Sequence, residues 1–193
     1  AELPGGGWPA GLVEVLHRAQ GMGELQIVLP ALAALTSAGR RIAWLAPPHL
    51  PYAPALRAAG VHLGYLTVVH APGRRDALWA AEQALRAGTF HALLLWLPRA
   101  SYPELRRLAV AAQAGPGFAL AFRPPEAAGE ASPAVLRLAL EAGQRQLAIR
   151  VLKRRGHPLA ASFPLPIERP VPERPVHALG RAPFSATPAP GVV

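Results

Sequence analysis

The chain has 193 residues, of which 51% are hydrophobic and 16% are charged, and these values predict one globular domain with its own core. The absence of cysteine excludes disulfides and thiolate metal sites, and no apolar run reaches the roughly 18 residues of a membrane span. The net charge of +9 rests on 20 basic residues, almost all of them arginine. This excess indicates either attraction to nucleic acid or acidic proteins, or simply an arginine-rich composition.

Short apolar segments alternate with segments of helical periodicity from residue 11 to residue 124. The helical segments repeat apolar residues every three or four positions, whereas the apolar segments have the length of strands. Strands are predicted at residues 11–16, 41–47, 64–70, 91–97 and 118–124, and helices at residues 23–38, 51–60, 74–88 and 101–115. This alternation predicts an α/β fold with a mostly parallel, doubly wound central sheet.

Two helix starts carry local signals. Pro30 lies inside the first helical segment, and its missing N–H predicts a kink or a broken first turn. Ser101 is followed three residues later by Glu104, which is the pattern of a capping box at the start of the fourth helix.

The pattern changes after residue 133. Residues 134–143 and 144–156 alternate apolar and polar side chains, which predicts an antiparallel hairpin at the edge of the sheet. The residues that follow Gly156 are rich in proline and have no periodicity. The chain is therefore expected to contain a core domain over residues 1–156 and a flexible tail over residues 157–193.

The segment between the first strand and the first helix lies where a phosphate-binding loop would lie. It contains Gly21 and Gly23, but Glu24 follows where such a loop needs a lysine and then a hydroxyl residue, and the only lysine is Lys153. A carboxylate there repels phosphate and stabilises the start of its own helix. The fourth predicted strand ends at Trp96 rather than at a carboxylate for Mg²⁺. We therefore predict a degenerate phosphate loop, no cofactor and no enzyme activity.

Basic side chains are the candidate binding residues. They are Arg123 at the end of the fifth strand, and Arg150, Lys153, Arg154 and Arg155 at the end of the hairpin. The ends of sheet strands are where α/β proteins place their sites, and clustered cations bind DNA phosphates or acidic proteins. The same charges are also typical of a solvated strand end, and Arg123 can equally pair with Glu126. The seven histidines lack metal-ligand spacing, so no metal site is predicted.

Several stretches resemble the ImuA family, the RecA-like accessory proteins of bacterial mutagenesis cassettes. They include "LPGGGWPAGLVEVL", "WLAPPHLPYAPAL", "ALWAAEQALRAG" and "IRVLKRRG", and the resemblance covers most of residues 3–156. A looser resemblance extends to the recombinase RecA. The resemblance implies a RecA-like P-loop NTPase fold, induction in the SOS response, and work with the polymerase-like protein ImuB and an error-prone polymerase of replicative type. It places Arg123 and residues 153–155 near the inter-subunit or DNA-facing side.

These features together predict a non-enzymatic scaffold of translesion DNA synthesis in the cytoplasm. Its expected partners are an ImuB-type protein and, as further candidates, RecA, DNA and a second copy of the chain. The alternative is a SulA-like inhibitor of cell division that binds the division GTPase FtsZ, because SulA shares this reduced core. A third interpretation is a nucleotide-dependent enzyme with an unorthodox loop.

Overall fold

One mixed sheet of eight strands runs through the computed structural model, which describes residues 7–143, 146–154 and 162–166. The strands are β1 (Gly11–His17), β2 (Ile42–Leu45), β3 (Leu66–Val69), β4 (Ala92–Trp96), β5 (Phe118–Arg123), β6 (Leu136–Ala142), β7 (Gln146–Arg154) and β8 (Ser162–Pro166). The helices are α1 (Leu29–Ser37), α2 (Ala53–Ala58), α3 (Arg74–Arg86) and α4 (Tyr102–Ala111). Each predicted strand and helix appears, with ends displaced by a few residues.

The strand order is β3-β2-β4-β5-β1-β6-β7-β8. Neighbouring strands from β3 through β6 are parallel, whereas β6 with β7 and β7 with β8 are antiparallel. The parallel strands β1, β2 and β5 are buried along their whole length, since helices cover both faces of the sheet. All their carboxyl ends therefore lie along one edge.

Two apolar cores lie on opposite faces of the sheet. One contains Val28 and Leu32 from the region of α1, packed on side chains such as Trp44 and Phe122. The other contains Leu105 of α4 and neighbouring α3 residues, packed on the opposite side chains of the same strands. Alternation of side chains along each strand supplies both cores, because successive residues point to opposite faces.

The first predicted helix is divided at the position where Pro30 predicts a break. A short 3-10 helix spans Glu24–Ile27, and α1 begins at Leu29 with Pro30 in its first turn. Proline is tolerated there because the first N–H groups of a helix have no intrahelical acceptor. The helix ends at Ser37, and Gly39, two residues later, has a φ of 70° that suits the left-handed turn closing many helices.

The predicted capping box at α4 is present. The backbone N–H of Ser101 donates to Glu104 Oε2 at 2.8 Å, so the carboxylate reaches back to the residue before the helix. This backbone hydrogen bond lowers the pKa of Glu104, burial raises it to a lesser degree, and Arg74 lowers it further. The net pKa lies below the ordinary value, so Glu104 is ionised at neutral pH.

The segment between β1 and α1 closes on its own carboxylate. Gly21 and Gly23 have φ of 75° and 103°, and the N–H of Gly21 donates to Glu24 Oε1 at 3.1 Å. A phosphate-binding loop points its N–H groups at a bound anion, whereas this N–H is occupied by a glutamate that is 6% exposed. The RecA-like P-loop NTPase fold that the resemblance implies is wrong: the chain forms a mixed sheet of eight strands, and the Glu24 carboxylate fills the turn after β1.

The sheet continues beyond residue 156, where the sequence places the end of the core. Ser162–Pro166 forms β8 and pairs with β7 over residues 146–150. The boundary predicted at residue 156 thus falls between two strands of one sheet. The other residues of the predicted tail, 157–161 and 167–193, lie outside the described residues.

Candidate functional site

A buried carboxylate lies at the centre of the sheet. Glu14 of β1 is fully buried, and in the strand register it lies opposite Arg137 of β6 and Ala121 of β5. Arg137 Nε donates to Glu14 Oε2 at 2.6 Å, and Arg123 Nη1 donates to Glu14 Oε1 at 2.9 Å. Arg123 reaches the same carboxylate because it lies two residues beyond Ala121 and therefore on the same face of the sheet.

The two arginines also bind groups in the loops around the sheet. Arg123 Nη2 donates to Glu130 Oε2 at 2.8 Å and to the carbonyl of Ala100 at 3.1 Å. Arg137 Nη2 donates to the carbonyl of Ala127 at 2.6 Å. Burial lowers the pKa of Arg123, but hydrogen bonds to Glu14 and Glu130 outweigh it and hold that pKa above its ordinary value. The network therefore carries fixed charges that tie β1, β5 and β6 to the adjoining loops.

The side chain of Arg123, a predicted binding residue, is 2% exposed. It pairs with Glu14 and Glu130 rather than with Glu126, the neighbour suggested by the sequence. Its charge is compensated inside the protein by these two carboxylates, and its buried side chain does not reach DNA or a protein surface. We therefore assign it a structural role.

The other predicted basic residues lie on β7. Arg150 is exposed and pairs loosely with Glu141 at 4.0 Å, and Lys153 Nζ donates to the carbonyl of Ser132 at 2.7 Å. Arg154 lies opposite Leu136 in the register, and Arg155 lies outside the described residues. The structure thus gathers three cations on one strand, but β1 and β6 separate that strand from β5 and Arg123. Their binding role stays a prediction.

A cleft of about 490 Å³ opens at the edge where the parallel strands end. His17 closes β1, Trp96 closes β4 and Phe122 lies near the end of β5, so strand ends form one side of the cleft. The loops after β2 and β3 form the other side. Of the residues that line the cleft, the sequence points to Trp96, as the place of a missing carboxylate, and to Arg123, as a candidate binding residue.

Aromatic rings line the floor of the cleft. Trp96 stacks on Phe122 with centroids 5.1 Å apart and an interplanar angle of 28°. The ring centroids of Trp44 and Trp96 lie 5.6 Å apart. The His17 ring meets the Phe122 ring edge-on, also with a centroid distance of 5.6 Å. Such offset and edge-on pairs are stabilising arrangements that hold the rings in fixed orientations. The floor is therefore rigid and apolar.

Cations surround the opening of the cleft. Arg18 and Arg99 are exposed, and Arg74 donates to Glu104 from the start of α3. No aspartate or glutamate belongs to the lining within the described residues. The opening is consequently electropositive over an aromatic floor.

The loop after β2 carries exposed apolar side chains beside the cleft. Leu50 is 78% exposed and Tyr52 is 71% exposed, although large apolar residues are usually buried. Ala46 starts the loop with φ of 47°, a conformation that costs a non-glycine residue energy and recurs at functional sites. Its N–H donates to the carbonyl of Val69 at 2.8 Å, which anchors the loop to β3.

Two other kinds of site are not found in the described part of the chain. No group of three or more histidine, aspartate or glutamate residues there is placed to hold a metal ion. No helix in the same residues is long and apolar enough to cross a membrane.

Comparisons with known proteins give one consistent result. A model of the family "Cell division inhibitor SulA" matches residues 11–119, which is more than half of the chain. SulA of Edwardsiella piscicida is 35% identical over 97 residues, covering 50% of this chain and 58% of that protein. SulA of Pectobacterium carotovorum subsp. carotovorum is 30% identical over 119 residues, covering 61% of this chain and 71% of that protein. The crystal structure of SulA from Pseudomonas aeruginosa has a TM-score of 0.50 and 29% identity, over 60% of this chain and 99% of that one.

These findings correct the interpretation drawn from the sequence. The assignment to ImuA is wrong, and the role in translesion synthesis, the ImuB-type partner and the P-loop NTPase class are overturned with it. The stretches that suggested ImuA belong to the reduced α/β core, and the alternative considered beside it is the family that matches. Residues 11–119 contain four parallel strands, all four helices and the exposed loop after β2. The chain belongs to the SulA family.

Proposed function

We propose that the protein is a non-enzymatic inhibitor of cell division that acts in the cytoplasm by binding FtsZ. The observation that carries the proposal is the family match over residues 11–119, whose relatives are named as inhibitors of cell division. The closed loop at Glu24 supports a binding rather than a nucleotide-hydrolysing role, because its buried carboxylate occupies the N–H that a phosphate would need.

We infer that the loop after β2 contributes the apolar part of the FtsZ-binding surface. Leu50 and Tyr52 expose most of their side chains, and prolines at positions 47, 48, 51 and 54 restrict the backbone around them. A restricted loop loses little conformational entropy on binding, so its apolar contacts translate more fully into affinity. Tyrosine is enriched among the residues that dominate binding energy at interfaces.

The basic strand β7 is proposed as an auxiliary contact for an acidic partner. Arg150 is 56% exposed and pairs only at 4.0 Å with Glu141, so its charge remains available to a second protein. Exposed charges of this kind accelerate association and are screened by salt. We expect Arg150→Ala to slow binding mainly at low ionic strength.

The proposal is tested by producing the full chain in a rod-shaped bacterium and imaging FtsZ rings. We expect long filaments without rings, and binding of purified FtsZ to the purified protein. The double change Leu50→Ser and Tyr52→Ser should abolish both effects without lowering the melting temperature. A matched control is Val110→Ser, which alters another apolar residue with 59% exposure on α4.

Two results would contradict the proposal. Normal division in cells that accumulate the folded protein would exclude the inhibitory activity. Filamentation that survives the double change would keep the activity but remove the loop from the binding surface.

A further inference from the structure

We propose that the cleft at the carboxyl edge of the sheet binds a small molecule that combines an aromatic ring with an anionic group. This ligand site goes beyond the proposed inhibition of division and does not depend on it. Its volume of about 490 Å³ falls inside the range of about 300–1,000 Å³ that is typical of small-molecule sites.

The floor of the cleft supplies the contact for a ring. Trp96 is partly exposed, and its ring is held by contacts with Phe122 and Trp44 at 5.1 and 5.6 Å. Pro48, Pro72 and the other prolines of the lining add rigid apolar surface around it. A planar ligand therefore meets surfaces that are already in place, which keeps the entropic cost of binding low.

The opening of the cleft supplies the charge. Arg18 and Arg99 are exposed and make no ion pair within the described residues, whereas Arg74 is neutralised by Glu104 at 2.7 Å. Because no carboxylate belongs to the described lining, these two guanidinium groups attract an anion without internal competition. Arginine also binds carboxylate or phosphate through paired N–H donors.

The position of the cleft agrees with this assignment. Ligands of open α/β sheets bind outside the carboxyl ends of the parallel strands, and the cleft is formed by the ends of β1, β4 and β5. The left-handed φ of Ala46, in the loop that borders it, is the kind of local strain that accumulates beside ligand sites.

Calorimetric titration of the full chain with four probes tests the proposal. Adenosine 5′-monophosphate and phenyl phosphate carry both a ring and an anion, adenosine carries only the ring, and inorganic phosphate carries only the anion. We expect at least one ring-bearing phosphate to bind about ten-fold or more tightly than the last two probes. Tighter binding of the nucleotide would point to a nucleotide ligand, and tighter binding of phenyl phosphate to a smaller aromatic acid.

Matched variants show whether binding occurs in this cleft. The double change Arg18→Ala and Arg99→Ala should weaken binding about ten-fold or more, since a charge-assisted hydrogen bond is worth about 1.5–3 kcal/mol. Arg106→Ala is the control, because it removes an exposed arginine of α4 that does not line the cleft. Both variants alter solvated side chains and should keep the melting temperature of the parent.

Three outcomes would overturn the inference. They are the absence of heat from both ring-bearing phosphates at millimolar concentration, equal affinity for inorganic phosphate, and unchanged affinity after loss of Arg18 and Arg99. FtsZ binding is measured separately on the same variants, so failure here leaves the proposed function of the Leu50–Tyr52 loop to be judged on its own test.

Discussion

Replacing Glu14 by glutamine removes the charge that the two buried arginines share. Glu14 is fully buried, and the side chains of Arg123 and Arg137 are 2% and 7% exposed. The variant keeps the shape of the side chain and one acceptor oxygen, but it leaves two guanidinium groups with less compensation in the middle of the sheet. We therefore expect a large loss of stability.

The size of that loss follows from the burial of the network. Removing one partner of a buried ion pair costs about 3–5 kcal/mol, because the remaining charge has lost its hydration without replacement. A domain of this size shifts its melting temperature by about 2–4 °C for each kcal/mol. The expected decrease for Glu14→Gln is therefore about 6–20 °C. The free energy of unfolding of a whole domain is about 5–15 kcal/mol, so the variant retains only a small part of it.

Thermal and urea unfolding, followed by circular dichroism, measure this loss. The control is Arg150→Ala, which breaks an exposed pair at 4.0 Å and should cost less than about 1 kcal/mol. A second variant replaces Glu14, Arg123 and Arg137 together by leucine and two methionines. It should recover much of the stability, since apolar replacement of a whole buried network is often neutral. A Glu14→Gln protein that melts within about 2 °C of the parent would refute the reasoning.

Three further changes test the local structure. Gly117→Ala should destabilise the fold by about 1–3 kcal/mol or more, because the added Cβ would lie 2.3 Å from the backbone oxygen of His91. Gly129→Ala is the control and should be nearly neutral, because Gly129 has open space around it. The urea midpoints of the two variants measure the difference. Ser101→Ala should cost about 1 kcal/mol through loss of the cap of α4, and an unchanged midpoint would contradict the capping role. Because the pKa of Glu104 is lower in the folded protein, its carboxylate stabilises the fold above the pKa that Glu104 has in the unfolded chain. Glu104→Gln should therefore destabilise the protein at neutral pH, and this difference should disappear as acid protonates the native carboxylate. Unfolding curves recorded between neutral and acidic pH measure the change.

The strands and helices were predictable because their signals are local. Apolar periodicity, Pro30 and the Ser101–Glu104 pair each act within a few residues, and the structure places elements where they indicate. The carboxylate network was not predictable in the same way. Glu14 reads as one polar residue in an apolar strand, and its partners become visible only when the strand order sets β1 between β5 and β6.

The cleft and the family assignment were also not predicted from the sequence. Trp96 and Arg18 are far apart in the chain and meet only because parallel strands end at one edge. The glycines near residue 21 lie where a phosphate-binding loop would lie, since a strand, a glycine turn and a helix follow one another there. Glu24 stands where such a loop needs a lysine, and this predicts a turn that does not hold phosphate. In the structure the Glu24 carboxylate accepts the N–H of Gly21.

The pairing of Glu14 has a consequence for how the chain acquires its structure. Its two arginine partners lie 109 and 123 residues further along, so β1 leaves the ribosome long before either arginine. Contacts of such sequence separation slow folding, because a long loop must close before they form. The first strand can pair with β5 once residue 123 has been made, but its carboxylate has both arginine partners only after residue 137 has followed. A fragment that ends at residue 119 would contain the whole of the family's matching region and yet lack both cations, and we expect it to remain unfolded.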